Sequence, residues 1–167
     1  MKSNSVDKRR MISEDVLSVP RFRPEYFKYW LDGIIGTSEL IASSDAFRRT
    51  WLEGETGITS IYCYDELLEQ LLGDLRLGEH LVQFADALFK LGAVDAVTAL
   101  WKALVSVKES VDEHRELQDQ AVLLASEDWR NLQAAAMRVI ELPSFKPHGT
   151  GRKDIQIQGE NEREGDV

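Results

Sequence analysis

Apolar side chains recur every three or four positions along the middle of the chain, a spacing that predicts amphipathic helices. The clearest example runs from Leu81 to Leu104, where one apolar series ends at Gly92 and a second begins at Val94. Glycine commonly ends a helix, and so short a joint makes consecutive helices antiparallel. We therefore expect a helical hairpin here, with the rest of the chain organised around it.

Start and stop signals predict two helices before residue 54. Pro24 suits the first turn of a long helix from Glu25 to Ala42. Gly33 and Gly36 weaken that helix by about 1 kcal/mol each, so we expect either a close helix contact or a break near Gly36. A short helix from 45 to 53 follows, with Ser44 as its predicted N-cap.

Two more helices flank the hairpin. Residues 60–72 have helical periodicity, and Thr59 or Ser60 offers a cap, although strand-forming residues at 58–64 leave a strand conceivable. A lone strand would have no partner, which favours the helix. The last helix is predicted to start after Ser126 and to end before Pro143. Between the hairpin and the last helix, the charged pattern of residues 108–119 predicts an exposed helix or a kinked join.

Together these elements predict an all-α fold, a compact bundle of antiparallel helical hairpins with five to seven helices in one domain at residues 20–143. A chain of 167 residues is long enough for a single core. The polar ends, 1–19 and 144–167, are expected to be mobile and disordered. The sequence contains no apolar run of the length that a membrane span needs.

Charge is unevenly distributed along the chain. Residues 25–143 carry 21 acidic and 10 basic side chains, a net charge of −11, within a total of −9. Such a domain disfavours the phosphate backbone of nucleic acid as a partner and favours a basic protein surface. An acidic surface also keeps proteins soluble, and net charge alone does not separate the two explanations.

Motifs for catalysis or metal binding are absent from the sequence. Cys63 is the only cysteine, so no disulfide forms within the chain, and a reducing cytoplasm is the simplest location. The three histidines, His80, His114 and His148, are not at metal-ligand spacing. The charged run at 112–116 is explained by a solvated helix face. We expect no cofactor, no metal and no enzymatic activity.

Aromatic residues beside acidic clusters suggest a protein interface. Trp30 and Trp51 are expected in the core, whereas the segment around Tyr62 is a better candidate for contact with a partner. The predicted partner-binding residues for a basic protein are Glu53, Glu55, Tyr62, Tyr64, Asp65, Glu66 and Glu69.

The central hairpin resembles a tetratricopeptide repeat. Ala85, Ala96 and Ala103 match the small positions of that family, Gly92 matches its turn, and Leu100 or Trp101 its large position. The turn is one residue shorter than usual, and Lys108 stands near the position of the terminal proline. A single copy covers residues 81–104, so a lone hairpin is favoured over an array. The resemblance implies an adaptor or chaperone that binds a peptide in a groove.

In size, acidity and helical character the chain also resembles the immunity proteins that bacteria keep against their own polymorphic toxins. The targets of these immunity proteins are often basic nucleases. This class likeness makes toxin neutralisation the concrete form of the first hypothesis. The groove-binding adaptor is the second, and an enzyme of unknown chemistry is the third.

Overall fold

The computed structural model describes residues 23–43 and 45–145, and this part of the chain contains seven α-helices and no strand, which confirms the all-α prediction. Two π-helical turns, Arg48–Leu52 and Glu69–Asp74, and a 3₁₀ turn, Arg115–Gln118, join them. The helices are α1 (Pro24–Ala42), α2 (Tyr64–Leu68), α3 (Leu77–Gln83), α4 (Ala85–Lys90), α5 (Val94–Glu113), α6 (Gln120–Ala125) and α7 (Glu127–Ile140).

The longest helices follow the local signals of the sequence. Pro24 stands in the first turn of α1, as predicted. Ser126 caps α7, because its hydroxyl oxygen accepts a hydrogen bond from the backbone N–H of Trp129 at 3.2 Å. Helix α5 runs without interruption to Glu113, and the 3₁₀ turn then completes the predicted join. These boundaries depend on capping groups within one turn of the helix end.

Helix α7 lies at the centre of the fold, packed against α5 on one side and α1 on the other. Ser106 of α5 donates to Asp128 at the start of α7. Ser144, beyond the end of α7, donates to the carbonyl of Leu91 before α5, so α5 and α7 are antiparallel. On the other side, Gln133 donates to the carbonyl of Ser43 at the end of α1. We call α1, α5 and α7 the framework.

The hairpin at 81–104 is present, but it differs from the prediction in two respects. Its first arm is broken at Phe84 into α3 and α4, where the Phe84 ring packs 5.2 Å from the rings of Phe27 and Trp30. Its second arm, α5, packs mainly against α7 and only slightly against α3 and α4. The six-residue α4 is only about 9 Å long, so it cannot cover the 20-residue α5.

The helix predicted from residue 60 begins only at Tyr64, which corrects the expected start. Thr59 accepts a hydrogen bond from the backbone N–H of Ile61, and the Ile61 carbonyl accepts one from the Trp51 indole at 3.0 Å. Neither group caps or enters a helix, and residues 59–62 lie outside any helix. The helix then continues from α2 through the π-helical turn to Asp74.

The core confirms the predicted burial of two tryptophans. Trp30 is 1% exposed and Trp51 is 8% exposed. The Trp30 indole donates to the carbonyl of Leu75 at 2.8 Å. Helix α1 does not break at Gly36, and the close approach at Gly33 is to the Leu75 side chain, which would stand 2.7 Å from an added Cβ.

Some predictions fall on residues that the structure does not describe. These are the segment 1–19, almost all of the tail at 144–167, and the cap Ser44. The side chain of Ser43 accepts a hydrogen bond from the backbone N–H of Ala46 and so satisfies the first turn of the short helix. No helix within the described ranges is long and apolar enough to cross a membrane.

Candidate partner-binding site

Two of the predicted partner-binding residues are neutralised within the chain. Glu53 pairs with Arg48, and Glu55 accepts hydrogen bonds from the guanidinium of Arg49. The Arg49 hydrogen bond lowers the pKa of Glu55, and the same bond raises the pKa of Arg49. Since each carboxylate stands beside a cation, this end of the predicted site attracts a basic partner only weakly.

The other predicted carboxylates have no such partners. Asp65, Glu66 and Glu69 lie on α2 and the following turn, and all three are exposed. Among residues 23–43 and 45–145, none of them forms a salt bridge. Glu66 accepts a hydrogen bond from the backbone N–H of Tyr62, which fixes the start of α2 beside the half-exposed Tyr62 ring. We use the name acidic face for a set of exposed residues on α2 and the turns on either side of it: Tyr62, Asp65, Glu66, Glu69 and Asp74.

Tyr64 does not lie on this surface with the others, because its side chain points inward and is only 8% exposed. Its backbone N–H donates to the side-chain carbonyl of Gln120 at 3.1 Å. Its hydroxyl group has no hydrogen-bond partner among residues 23–43 and 45–145. Burial, followed by the negative charges of Asp112 and Asp65, raises the pKa of Tyr64 from 10.0 to about 12. The phenol is therefore neutral at physiological pH.

Tyr64 lines a cavity of about 510 Å³ between α2, the end of α5 and the segment before α6. Asp112 on its wall is held by Lys108 at 2.7 Å, and this contact raises the pKa of Lys108. We call the cavity that Tyr64 lines the α2–α5 cavity. It is lined by Cys63, Tyr64, Asp65, Leu68, Val111, Asp112, Gln118 and Gln120.

Sequence reasoning did not assign Asp112, Gln118 or Gln120 to the site. Gln120 lies 56 residues from Tyr64 along the chain, and the sequence contains no signal that pairs them. The acidic run at 112–116 stood out only as a charged helix face. The tertiary fold places only Asp112 of this run on the wall of the cavity that Tyr64 lines.

Two histidines, His80 and His114, lie in the described part of the chain. His80 is buried, with Nδ1 2.8 Å from the carbonyl of Leu75 and its ring edge-on to Tyr26 and Trp30. A carbonyl only accepts, so Nδ1 carries a proton. His114 is exposed near Glu116. No group of three His, Cys, Asp or Glu side chains in the described ranges is arranged to hold a metal ion. His148 lies outside those ranges.

A second, apolar surface lies at the α3–α4 break. Val82 and Phe89 are 79% and 78% exposed, although both are large apolar residues. Beside them, a cavity of about 480 Å³ separates the start of α1 from α4, with Phe27, Phe84 and Leu91 among its lining residues. This surface is chemically distinct from the acidic face.

Comparison of the chain with protein-family models, with curated proteins and with solved structures gives no match.

Proposed function

We propose that this protein binds a basic protein stoichiometrically and neutralises it, in the manner of a bacterial toxin-immunity protein. One observation carries the proposal. From Thr50 to Leu75 the chain contains six acidic residues and no Lys, Arg or His. Arg48 and Arg49 compensate only Glu53 and Glu55, which leaves the four carboxylates of the acidic face without cations among the described residues.

The arrangement of charges on the acidic face supports recognition of a partner rather than a role in solubility alone. A surface selected only for solubility intersperses both signs of charge. Helix α7 carries both signs, with the acidic Glu127 and Asp128 in its first turn and two exposed basic residues, Arg130 and Arg138, farther along. The acidic face has one sign of charge and an exposed aromatic ring, Tyr62, at its edge. Unmatched charge steers a basic partner into contact, and tyrosine is a frequent interface anchor.

The decisive experiment is capture from an extract of the source organism with the tagged protein at low and high salt, with mass spectrometry of what is retained. We expect one basic protein near equal stoichiometry, lost at high salt because screening weakens exposed charge pairs. The variant Asp65→Lys/Glu66→Lys/Glu69→Lys should abolish this capture.

A matched control separates the acidic face from net charge. Asp32→Lys/Glu39→Lys/Glu141→Lys changes the charge by the same amount at exposed positions elsewhere. It should retain the partner. Equal loss in both variants would reduce the proposal to a non-specific charge effect, and retention by the first variant would contradict it.

An adaptor that binds a peptide in a helical groove is the second candidate, and the exposure of Val82 and Phe89 favours it. Apolar contacts depend little on ionic strength. Capture that survives high salt but is lost in Val82→Ser/Phe89→Ser would therefore support the adaptor over the neutraliser.

A further inference from the structure

The most exposed large apolar side chains in the described ranges, Val82 and Phe89, lie on the short helices α3 and α4. Next to them is the cavity of about 480 Å³ between the start of α1 and α4, which we call the α1–α4 cavity. Phe89 lies one turn beyond Asp86, and Val82 directly precedes Gln83, both of which line the cavity. Binding pockets usually have volumes of about 300–1,000 Å³, so the cavity is large enough to hold several side chains.

The connectivity of the chain brings one of its own segments to this cavity. The described part of the chain begins at Arg23, whose carbonyl accepts a hydrogen bond from the backbone N–H of Phe27 at 3.0 Å. Phe27 lines the α1–α4 cavity, and four residues of helix rise only about 6 Å. The residues before Arg23 are therefore attached within one helical turn of the lining. Residues 16–22, which lie outside the described ranges, reach at most about 25 Å when extended.

The composition of residues 16–22 suits an apolar cavity. The segment reads VLSVPRF and contains four apolar side chains, Val16, Leu17, Val19 and Phe22. Proline disfavours a helical conformation of the residue before it and favours an extended one. Pro20 therefore favours a segment long enough to cross α4, whose six residues extend only about 9 Å.

The charges of the segment match those of the cavity. The lining includes one charge of each sign, Asp86 and Lys90. Neither forms a salt bridge with another residue in the described ranges. Asp15 directly precedes the segment and Arg21 lies within it, so the chain also brings one charge of each sign. Each of these charges can meet an opposite one at the cavity.

We infer that residues 16–22 of this chain occupy the α1–α4 cavity, with Leu17, Val19 and Phe22 against its apolar lining. A short tether gives such a segment an effective concentration of about a millimolar, which favours it over a second copy or a free peptide. The segment is then an internal ligand that a peptide partner has to displace. The inference does not involve the acidic face, so it stands or falls separately from the proposed function.

Thiol modification measures whether the cavity is covered. Ala87 lines the cavity and is half-buried, and Cys63 is the only cysteine of the chain. The full-length variant Cys63→Ala/Ala87→Cys therefore has a single thiol, which lies in the cavity. Adding Leu17→Ser/Val19→Ser should release the segment. At an occupancy of about nine-tenths only the uncovered fraction reacts, so release should speed modification about tenfold.

Two controls separate release of the segment from other effects. Met11→Ser/Ile12→Ser makes the same kind of change outside residues 16–22 and should leave the rate at position 87 unchanged. In the chain that keeps Cys63 and Ala87, Leu17→Ser/Val19→Ser should leave the modification rate of Cys63 unchanged, because Cys63 lines the separate α2–α5 cavity. Unfolding would speed modification at both positions.

The remaining outcomes contradict the inference. An unchanged rate at position 87 after Leu17→Ser/Val19→Ser would overturn it, and so would equal acceleration by Met11→Ser/Ile12→Ser or at Cys63. Dilution shows whose segment covers the cavity. Protection within one molecule is independent of protein concentration, whereas protection that is lost on dilution would assign the cavity to a second copy of the chain.

Discussion

The framework and the segment between residues 46 and 93 are built in contrasting ways. Framework helices contain 19, 20 and 14 residues. Between 46 and 93 no α-helix exceeds 7 residues, and both π-helical turns of the described chain lie there. Every described residue with positive φ lies there too, namely Gly54, Gly57, Arg76 and Gly92. We call this the irregular segment.

Under the proposed function the two regions have different roles. Long helices satisfy their own backbone groups and need only an apolar face to pack. Irregular backbone is retained where something else depends on it, and π-helical turns often occur at functional sites. The acidic face and Tyr64 belong to the irregular segment, which therefore holds most of the candidate binding groups, while the framework holds them in place.

The largest expected effect on stability comes from truncating a buried leucine, and it can be compared between the two regions. Leu132 on α7 and Leu71 in the second π-helical turn are both 0% exposed. Leu132→Ala should lower the free energy of unfolding by about 2–5 kcal/mol, and Leu71→Ala should fall at the lower end of that range, because irregular turns can move to fill part of the cavity. Urea denaturation measures both. Equal losses would mean that the two regions are equally rigid.

The next largest effect on stability is expected from replacing two glycines, Gly78 and Gly36, by alanine. A Cβ on Gly78 would stand 2.7 Å from the Trp101 ring, whereas a Cβ on Gly36 meets nothing within 4 Å. Gly78→Ala should destabilise by about 1–3 kcal/mol through overpacking. Gly36→Ala should stabilise α1 by up to about 1 kcal/mol. Thermal melting compares the two variants. A stabilised Gly78→Ala protein would show that the Trp101 side chain moves to make room for the added methyl group.

Alkaline pH tests the buried phenol. In the unfolded chain Tyr64 loses its proton near its ordinary pKa of 10.0, while the folded protein retains it to about 12. Between those values the unfolded state binds fewer protons, so stability falls as pH rises, by about 1.4 kcal/mol per unit at most. The difference between parent and Tyr64→Phe isolates this loss from other groups that titrate there. Parallel pH profiles would place the phenol in contact with water.

The smallest effect concerns the cap of α7. Ser126→Ala removes the acceptor for the Trp129 N–H and should cost about 1 kcal/mol. Ser126→Thr keeps the hydroxyl group and should recover most of the loss. If Ala and Thr are equivalent in urea denaturation, the framework does not depend on this cap.

Local sequence signals determined the framework. Pro24, Ser126 and the apolar period of the long helices predict α1, α7 and the start of α5, because capping groups and helical faces act over one or two turns. The burial of Trp30 and Trp51 follows from the same periodicity. Of the candidate site, the sequence identified the exposed carboxylates of Asp65, Glu66 and Glu69, which need no distant partner, but not that of Asp74.

Only the tertiary structure decided the rest. The break at Phe84 accompanies packing against α1, and the delayed start of α2 accompanies the hydrogen bond between Trp51 and Ile61. Glu53 pairs with Arg48 and Glu55 pairs with Arg49, and both pairs depend on the conformation of the turn between them, which the sequence does not predict. Tyr64 meets Gln120 from 56 residues away. Such contacts depend on how whole helices pack, and a local pattern has no information about a partner that distant in the chain.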